Sequence, residues 1–207
     1  RDEQVVTLDP KAKLESLASV TLIWHKPAGH VLPEAPLLPD DIAARWFTPE
    51  LRFAGDRSGV RPLKAHRHKL LAVAPLGELA SGLMVFTQNP GVARKMTDDA
   101  TQLEHEWLAE VAADPALEDE VRRDEVLRSL GKPAFFDGWA VPTARASWQS
   151  EFRLRLAIKG NRPGQVPHLC ERAGLQLTGL RRLRLGRISL AGLPVGEWRY
   201  LLGYERF

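Results

Sequence analysis

At 207 residues, with 44% hydrophobic and 27% charged side chains, the chain is long enough to bury a sizeable core, and its composition is neither disordered nor fibrous. No apolar run reaches the roughly 20 residues that a membrane-spanning helix needs, and a single cysteine, Cys170, excludes an internal disulfide framework and a multi-thiolate zinc site. The net charge of +3 is unevenly spread: residues 97–130 carry 11 acidic and 3 basic side chains, a net of −8, while residues 151–207 carry 11 basic and 4 acidic, a net of +7. Such a split fits either a C-terminal part that faces a polyanion or two complementary faces of one fold.

Residues 1–19 are polar and read as a tail or the end of a preceding module. They contain no hydrophobic leader, and the lone cysteine suits a reducing, cytoplasmic setting. A strand over 20–24 leads into Lys26-Pro27-Ala28-Gly29, whose proline and glycine force a loop. After a proline-broken stretch, Asp40 is placed to cap a short helix ending at Trp46. Residues 52–69 form a cation-rich loop in which Asp56 opens a turn, and His66 and His68 read as a solvated turn rather than a metal-ligand pair.

A strand over 70–74 and then the loop Pro75-Leu76-Gly77-Glu78-Leu79-Ala80 precede the apolar run 83–87, which has the pattern of a buried central strand. Further along, the sequence predicts a helix over 92–100, a strand over 107–111 and a single acidic surface helix from Pro115 to Leu130 that starts at Asp114. Strands follow over 145–148 and 152–159, then a helix over 165–173 with Cys170 on its inner face, and last two strands over 183–190 and 198–202. In Leu180-Arg181-Arg182-Leu183-Arg184-Leu185-Gly186-Arg187, strand alternation puts Arg182 and Arg184 on one face, a guanidinium ladder suited to a phosphate backbone or to an edge that discourages pairing. Among six tryptophans, Trp107 and Trp148 are candidates for stacking on bases.

Five segments in order carry a resemblance. They are Lys26-Pro27-Ala28-Gly29, Gly82-Leu83-Met84-Val85-Phe86-Thr87, Glu104 through Val111, Lys159-Gly160-Asn161-Arg162, and Leu183-Arg184-Leu185-Gly186 continuing to Gly196-Glu197-Trp198-Arg199. Together the chain from residue 20 to 202 resembles the RsuA-type pseudouridine synthases of ribosomal RNA. The resemblance implies an α+β pseudouridine synthase fold over 20–207, with a mixed, mainly antiparallel sheet and flanking helices, preceded in many members by a small S4-type module. It also implies a monomer acting on RNA without cofactor or metal, with Lys26, Arg61, Arg162, Arg182, Arg184 and Arg187 as RNA-binding residues and Leu79, Ala80, Trp107 and Gln165 around the substrate pocket.

The departures from the family pattern bear on chemistry. The family's aspartate, which starts the reaction from Gly-Arg-Leu-Asp, is replaced in Gly77-Glu78-Leu79-Ala80, and a few residues that precede Ser81 in the family are missing. The stacking tyrosine falls at Trp107, and the late Gln-Ile-Arg motif reads Gln165-Val166-Pro167. Glu78 and Asp56 remain as candidate catalytic carboxylates, because an anionic carboxylate can serve as nucleophile or base. The expected function is therefore an RNA-binding member with its isomerase chemistry lost or weakened; the alternative is an active synthase using a displaced carboxylate.

Overall fold

The computed structural model describes residues 18–207 apart from residue 161, so all but the last two residues of the expected tail or preceding module (1–19) fall outside the described residues. The central feature is β3 (Ala80–Thr87), which is buried along nearly its whole length. On one side it pairs antiparallel with β1 (Thr21–Lys26), and on the opposite side its last residues pair antiparallel with the short β2 (Leu71–Val73). On that same side as β2, its first residues run parallel to β9 (Leu177–Leu185), with Ala80, Ser81 and Gly82 beside Leu180, Arg181 and Arg182. β9 in turn pairs with β4 (Glu104–Val111), β4 with β8 (Arg153–Lys159), and β8 with β7 (Arg145–Ser150), all antiparallel.

A two-residue β10 (Ile188–Ser189) folds back on β9, and β11 (Trp198–Tyr200) closes the far edge against β1. The main sheet is thus mixed and mainly antiparallel, with β5 (Ala134–Phe136) and β6 (Trp139–Val141) forming a separate hairpin. Flanking it are α1 (Asp40–Trp46), α2 (Pro90–Asp98), α3 (Glu120–Leu130) and α4 (Gln165–Arg172). The expected α+β architecture is the one found.

β3 has no polar face because both sides of the sheet are covered. Met84 and Phe86 join Trp24, Phe47 and Trp198 in one core, while Leu83 and Val85 join Ile23, Met96 and Leu185 in a second. A strand buried on both faces reads as a continuous apolar run, which is why this element was visible in the sequence. The C-terminal Trp198-Arg199 element is structural: Trp198 Nε1 donates to the Thr48 carbonyl at 2.8 Å, and Arg199 grips Glu205 through both terminal nitrogens at 2.7 and 2.8 Å.

Several boundaries differ from expectation. The acidic helix is divided: Asp114 caps a short 3₁₀ turn at Pro115–Glu118, and Asp119 accepts from Val121 N to start α3 separately. Two successive caps, each able to satisfy free N–H groups, favour two starts over one. Asp40 is the first residue of α1 rather than its cap and pairs with His68 at 2.7 Å. His66 is buried, not solvated, and its Nδ1 is bonded to the Tyr200 hydroxyl. Cys170 packs in the core as expected, its thiol pushed up to about 12 by burial.

Where β3 and β9 run side by side, Gly82 adopts φ +109°, and a Cβ there would collide with the Arg182 carbonyl and lie 2.6 Å from Arg182 N. Gly82→Ala therefore strains the backbone and pushes two central strands apart. We expect it to cost at least about 3 kcal/mol, measured as a lower urea midpoint, or to prevent folding altogether.

Candidate functional site

The loop between β2 and β3 is held from beneath by two buried cations. Lys26, at the end of β1, is fully buried and donates from Nζ to the carbonyls of Pro27, Glu78 and Ala80 at 3.1, 3.1 and 2.9 Å. Arg182, on β9 and likewise 0% exposed, donates from Nε to the Leu83 carbonyl at 2.7 Å and from Nη2 to the Ala74 carbonyl at 2.5 Å. Ala74 turns the chain out of β2 at φ +52°, an unfavourable conformation for a residue with a Cβ. Gly29 N adds a third bond to Glu78 O at 2.9 Å. Burial pushes the Lys26 ammonium down to about 8, against the opposing pull of the Glu78 carboxylate, and the Arg182 guanidinium down to about 9.

Neither cation is available to a phosphate, so the expected RNA-binding roles of Lys26 and Arg182 are corrected: both are pins that fix the loop backbone. The anticipated ladder fails for a specific reason. A bulge lies opposite the step from Glu106 to Trp107: Glu106 faces Arg184 but Trp107 faces Arg182, leaving Leu183 without a partner. The extra residue shifts the side-chain alternation and turns Arg182 inward.

Arg184 stays nearer the surface but is neutralised. It donates to Glu106 at 2.9 Å and Glu104 at 2.7 Å, while Arg155 also pairs with Glu106 and Arg145 with Glu104 at 2.6 Å. Arg153 and Glu110 continue the row at 3.3 Å. The acidic and basic segments thus meet in part as complementary faces. Arg61 and Arg187 are exposed.

Above the pinned loop lies a cavity of about 480 Å³, closed by the start of β9 and the N-terminal turn of α4. Glu78, Leu79, Ala80, Trp107, Arg162 and Gln165 all line it, so six of the residues singled out in the sequence converge here. Ala80 forms the floor where β3 enters, and Leu79 stands 84% exposed at the rim. Trp107 lies in the wall with the Arg182 guanidinium over its ring at 5.4 Å. Gln165 is held by a bond from its Nε2 to the Lys159 carbonyl at 3.1 Å. Gly164, at φ +86°, caps α4 where a side chain would strike Phe136.

Glu78 is the one carboxylate in this lining among the described residues. Asp56 is elsewhere and fully engaged: Oδ1 accepts from Ser58 N, and Oδ2 pairs with Arg52 at 2.9 Å and accepts from Tyr200 N. Burial favours its neutral form, but these bonds from Ser58, Arg52 and Tyr200 outweigh it and hold the carboxyl below the ordinary range. It is a turn-stabilising residue with no place in the cavity. Trp148 is likewise occupied, with Arg123 over its ring at 4.8 Å.

Sequence reasoning missed His105. It is fully buried, lies parallel to Trp107 at 6.4 Å, has no partner for either ring nitrogen, and is driven down to about 2 by desolvation, then by Arg182 and Arg184. The signal was its position two residues before Trp107 on the same strand face.

The fold is that of a pseudouridine synthase. The crystal structure of a pseudouridylate synthase superimposes with a TM-score of 0.64 over 89% of this chain and 70% of that one, at 19% identity. In sequence the chain is similar to the dual-specificity RNA pseudouridine synthase RluF of Salmonella typhi, 25% identical over 151 residues, and to RluF of Escherichia coli K12, 23% identical over the same length. Each alignment covers 73% of this chain and 50% of the relative, so the chain matches about half the length of these proteins. No family model matches. The chain is thus similar to pseudouridine synthases in sequence and shares their fold. No helix among the described residues is long and apolar enough to cross a membrane.

Burial favours a neutral Glu106, but the bonds from Arg155 and Arg184 outweigh it and lower its pKa below the ordinary value of 4.5. A depressed folded-state pKa contributes stability that is full above the unfolded value and is lost as pH falls through the folded one. Glu106→Gln should therefore lower stability by about 1–2 kcal/mol at pH 7. The gap from wild type, followed by urea midpoints, should close as pH falls below 4.5.

Proposed function

We propose that this chain is an RNA-binding domain of the pseudouridine synthase type that holds structured, ribosomal RNA over the cavity and has lost or strongly weakened the isomerase chemistry. The observation that carries the reading is Ala80 at the cavity floor, where β3 enters and where the resemblance places the family's aspartate. A methyl group there can neither attack a sugar or base nor take a proton. Pro167, also in the lining, replaces a cationic residue of the family pattern.

What remains suits binding. The wall is largely apolar, which fits a base lifted from its stack, and Arg162 offers a cation at the rim. Exposed Arg61 and Arg187 add cations outside it. That the similar proteins are named RNA pseudouridine synthases supports RNA as the partner. In this reading the chain works as a monomer in the cytoplasm, without cofactor.

A second reading rests on Glu78. Its backbone carbonyl is fixed by Lys26 and Gly29, and its side chain is the carboxylate of the lining. A carboxylate held on so rigid a base could act in place of the missing aspartate, making the chain an active synthase.

Incubation with ribosomal RNA followed by carbodiimide primer extension separates the two. No protein-dependent pseudouridine is the expected result; a new modification that disappears in Glu78→Gln would establish the second reading instead. Binding should weaken with salt, and Arg61→Ala and Arg187→Ala should each reduce the slope of log K against log salt by about 1 in anisotropy titrations.

A further inference from the structure

The hairpin β5–β6 stands beside the cavity, and its outward residues are used neither by the core nor by the proposed chemistry. Its root is anchored, since Ala134 and Val141 face each other and are both buried. Its tip is a two-residue turn, Asp137-Gly138, with φ of +48° and +76°, the positive-φ pair of the tight turns that match strand twist. Phe136 packs on His168 at 5.3 Å and against Gly164 of the cavity wall. The hairpin is therefore held against α4, by Phe136 at the helix's first half and by the bond from Arg172, the helix's last residue, to the Pro133 carbonyl.

Directly across from Phe136 is Trp139, 58% exposed. The guanidinium of Arg162 lies 4.0 Å from the centre of its ring. Arg162 also lines the main cavity and a second cavity of about 370 Å³, whose wall includes Ala140, Val141 and Pro142 of the hairpin end. Pro75, Gly160 and Gln165 are shared by the two cavities as well, so the depressions adjoin. A groove thus runs from the cavity floor at Ala80 past Arg162 to the hairpin.

We propose that Trp139, braced by Arg162, is a stacking platform for an unpaired base next to the nucleotide over the cavity. This rests on the RNA-binding reading above. A tryptophan with a guanidinium on its ring and more than half its surface in solvent combines a π-face with a cation suited to the backbone, the pairing used for single-stranded nucleic acid. Lys159, exposed where β8 ends at the same loop, adds to the positive side. An unpaired strand passing along the groove would place one base at the cavity and its neighbour on the indole.

The test uses the full chain and a fluorescein-labelled RNA stem-loop with an all-uridine loop, titrated by anisotropy. Trp139→Ala should weaken binding about tenfold, while Trp139→Phe, which keeps a ring, should stay within about threefold of wild type. Replacing loop nucleotides one at a time with abasic ones should reveal a position that weakens wild type but not Trp139→Ala. Unchanged affinity in Trp139→Ala, or altered oligomeric state as its sole effect, overturns this assignment alone. Failure of the wild-type chain to bind any RNA overturns it together with the RNA-binding reading.

Discussion

Burying a cation in a protein core costs several kcal/mol unless its donors are satisfied, and this fold does so twice without a carboxylate among the bonded partners. Lys26 and Arg182 are instead met by main-chain carbonyls: Ala74 and Glu78 of the loop between β2 and β3, Ala80 and Leu83 of β3, and Pro27 after β1. The loop must hold its course or leave charges bare, so the cations define its path more firmly than side-chain packing could. Gly82 makes the arrangement possible, because only a residue without Cβ lets β3 approach the backbone carrying Arg182. The cavity floor, the rim at Leu79 and the position of Glu78 all follow from this arrangement.

With those positive charges beneath it, opposed in part by the Glu78 carboxylate, the cavity floor favours an electron-rich occupant. Trp107 mediates part of this field, since Arg182 lies against its ring and leaves Nη1 without a bonded partner. His105 stays neutral behind it, so it adds no further charge. The pocket thus combines an apolar wall with a cationic underside, an environment suited to a flat, polarisable ring.

How much of this could be read beforehand depended on where alternation and burial agreed. β3 was legible because both its faces are covered, and the α+β layout came from the family resemblance. Of the cavity's residues, Glu78 stood out as the carboxylate of a loop feeding a core strand, whereas Leu79, Ala80, Trp107, Arg162 and Gln165 were picked out by the family resemblance. The arginine pair on β9 was not legible: a single unpartnered Leu183 reverses the phase, and no periodicity signals such a bulge. Lys26 was misjudged because its partners are carbonyls, which no sequence pattern displays. The charge asymmetry, which suggested a polyanion, is spent partly on Glu104, Glu106 and Glu110, whose cross-strand arginines are distant in sequence.

The closing strand has a bearing on how the molecule forms. β1 joins β11 through pairs such as Leu22 with Tyr200, a separation that spans almost all of the described chain. Pairings of this range close late and slowly, because the entropy of a long loop must be overcome before any contact rewards it. Until Trp198 and Tyr200 dock, the outer edge of β1 keeps its hydrogen-bonding groups open, together with apolar surface at Leu22 and Trp24. On a ribosome that edge waits for nearly the whole chain to emerge, which makes the nascent sheet a candidate for chaperone protection and makes truncation near the C-terminus more damaging than its few residues suggest.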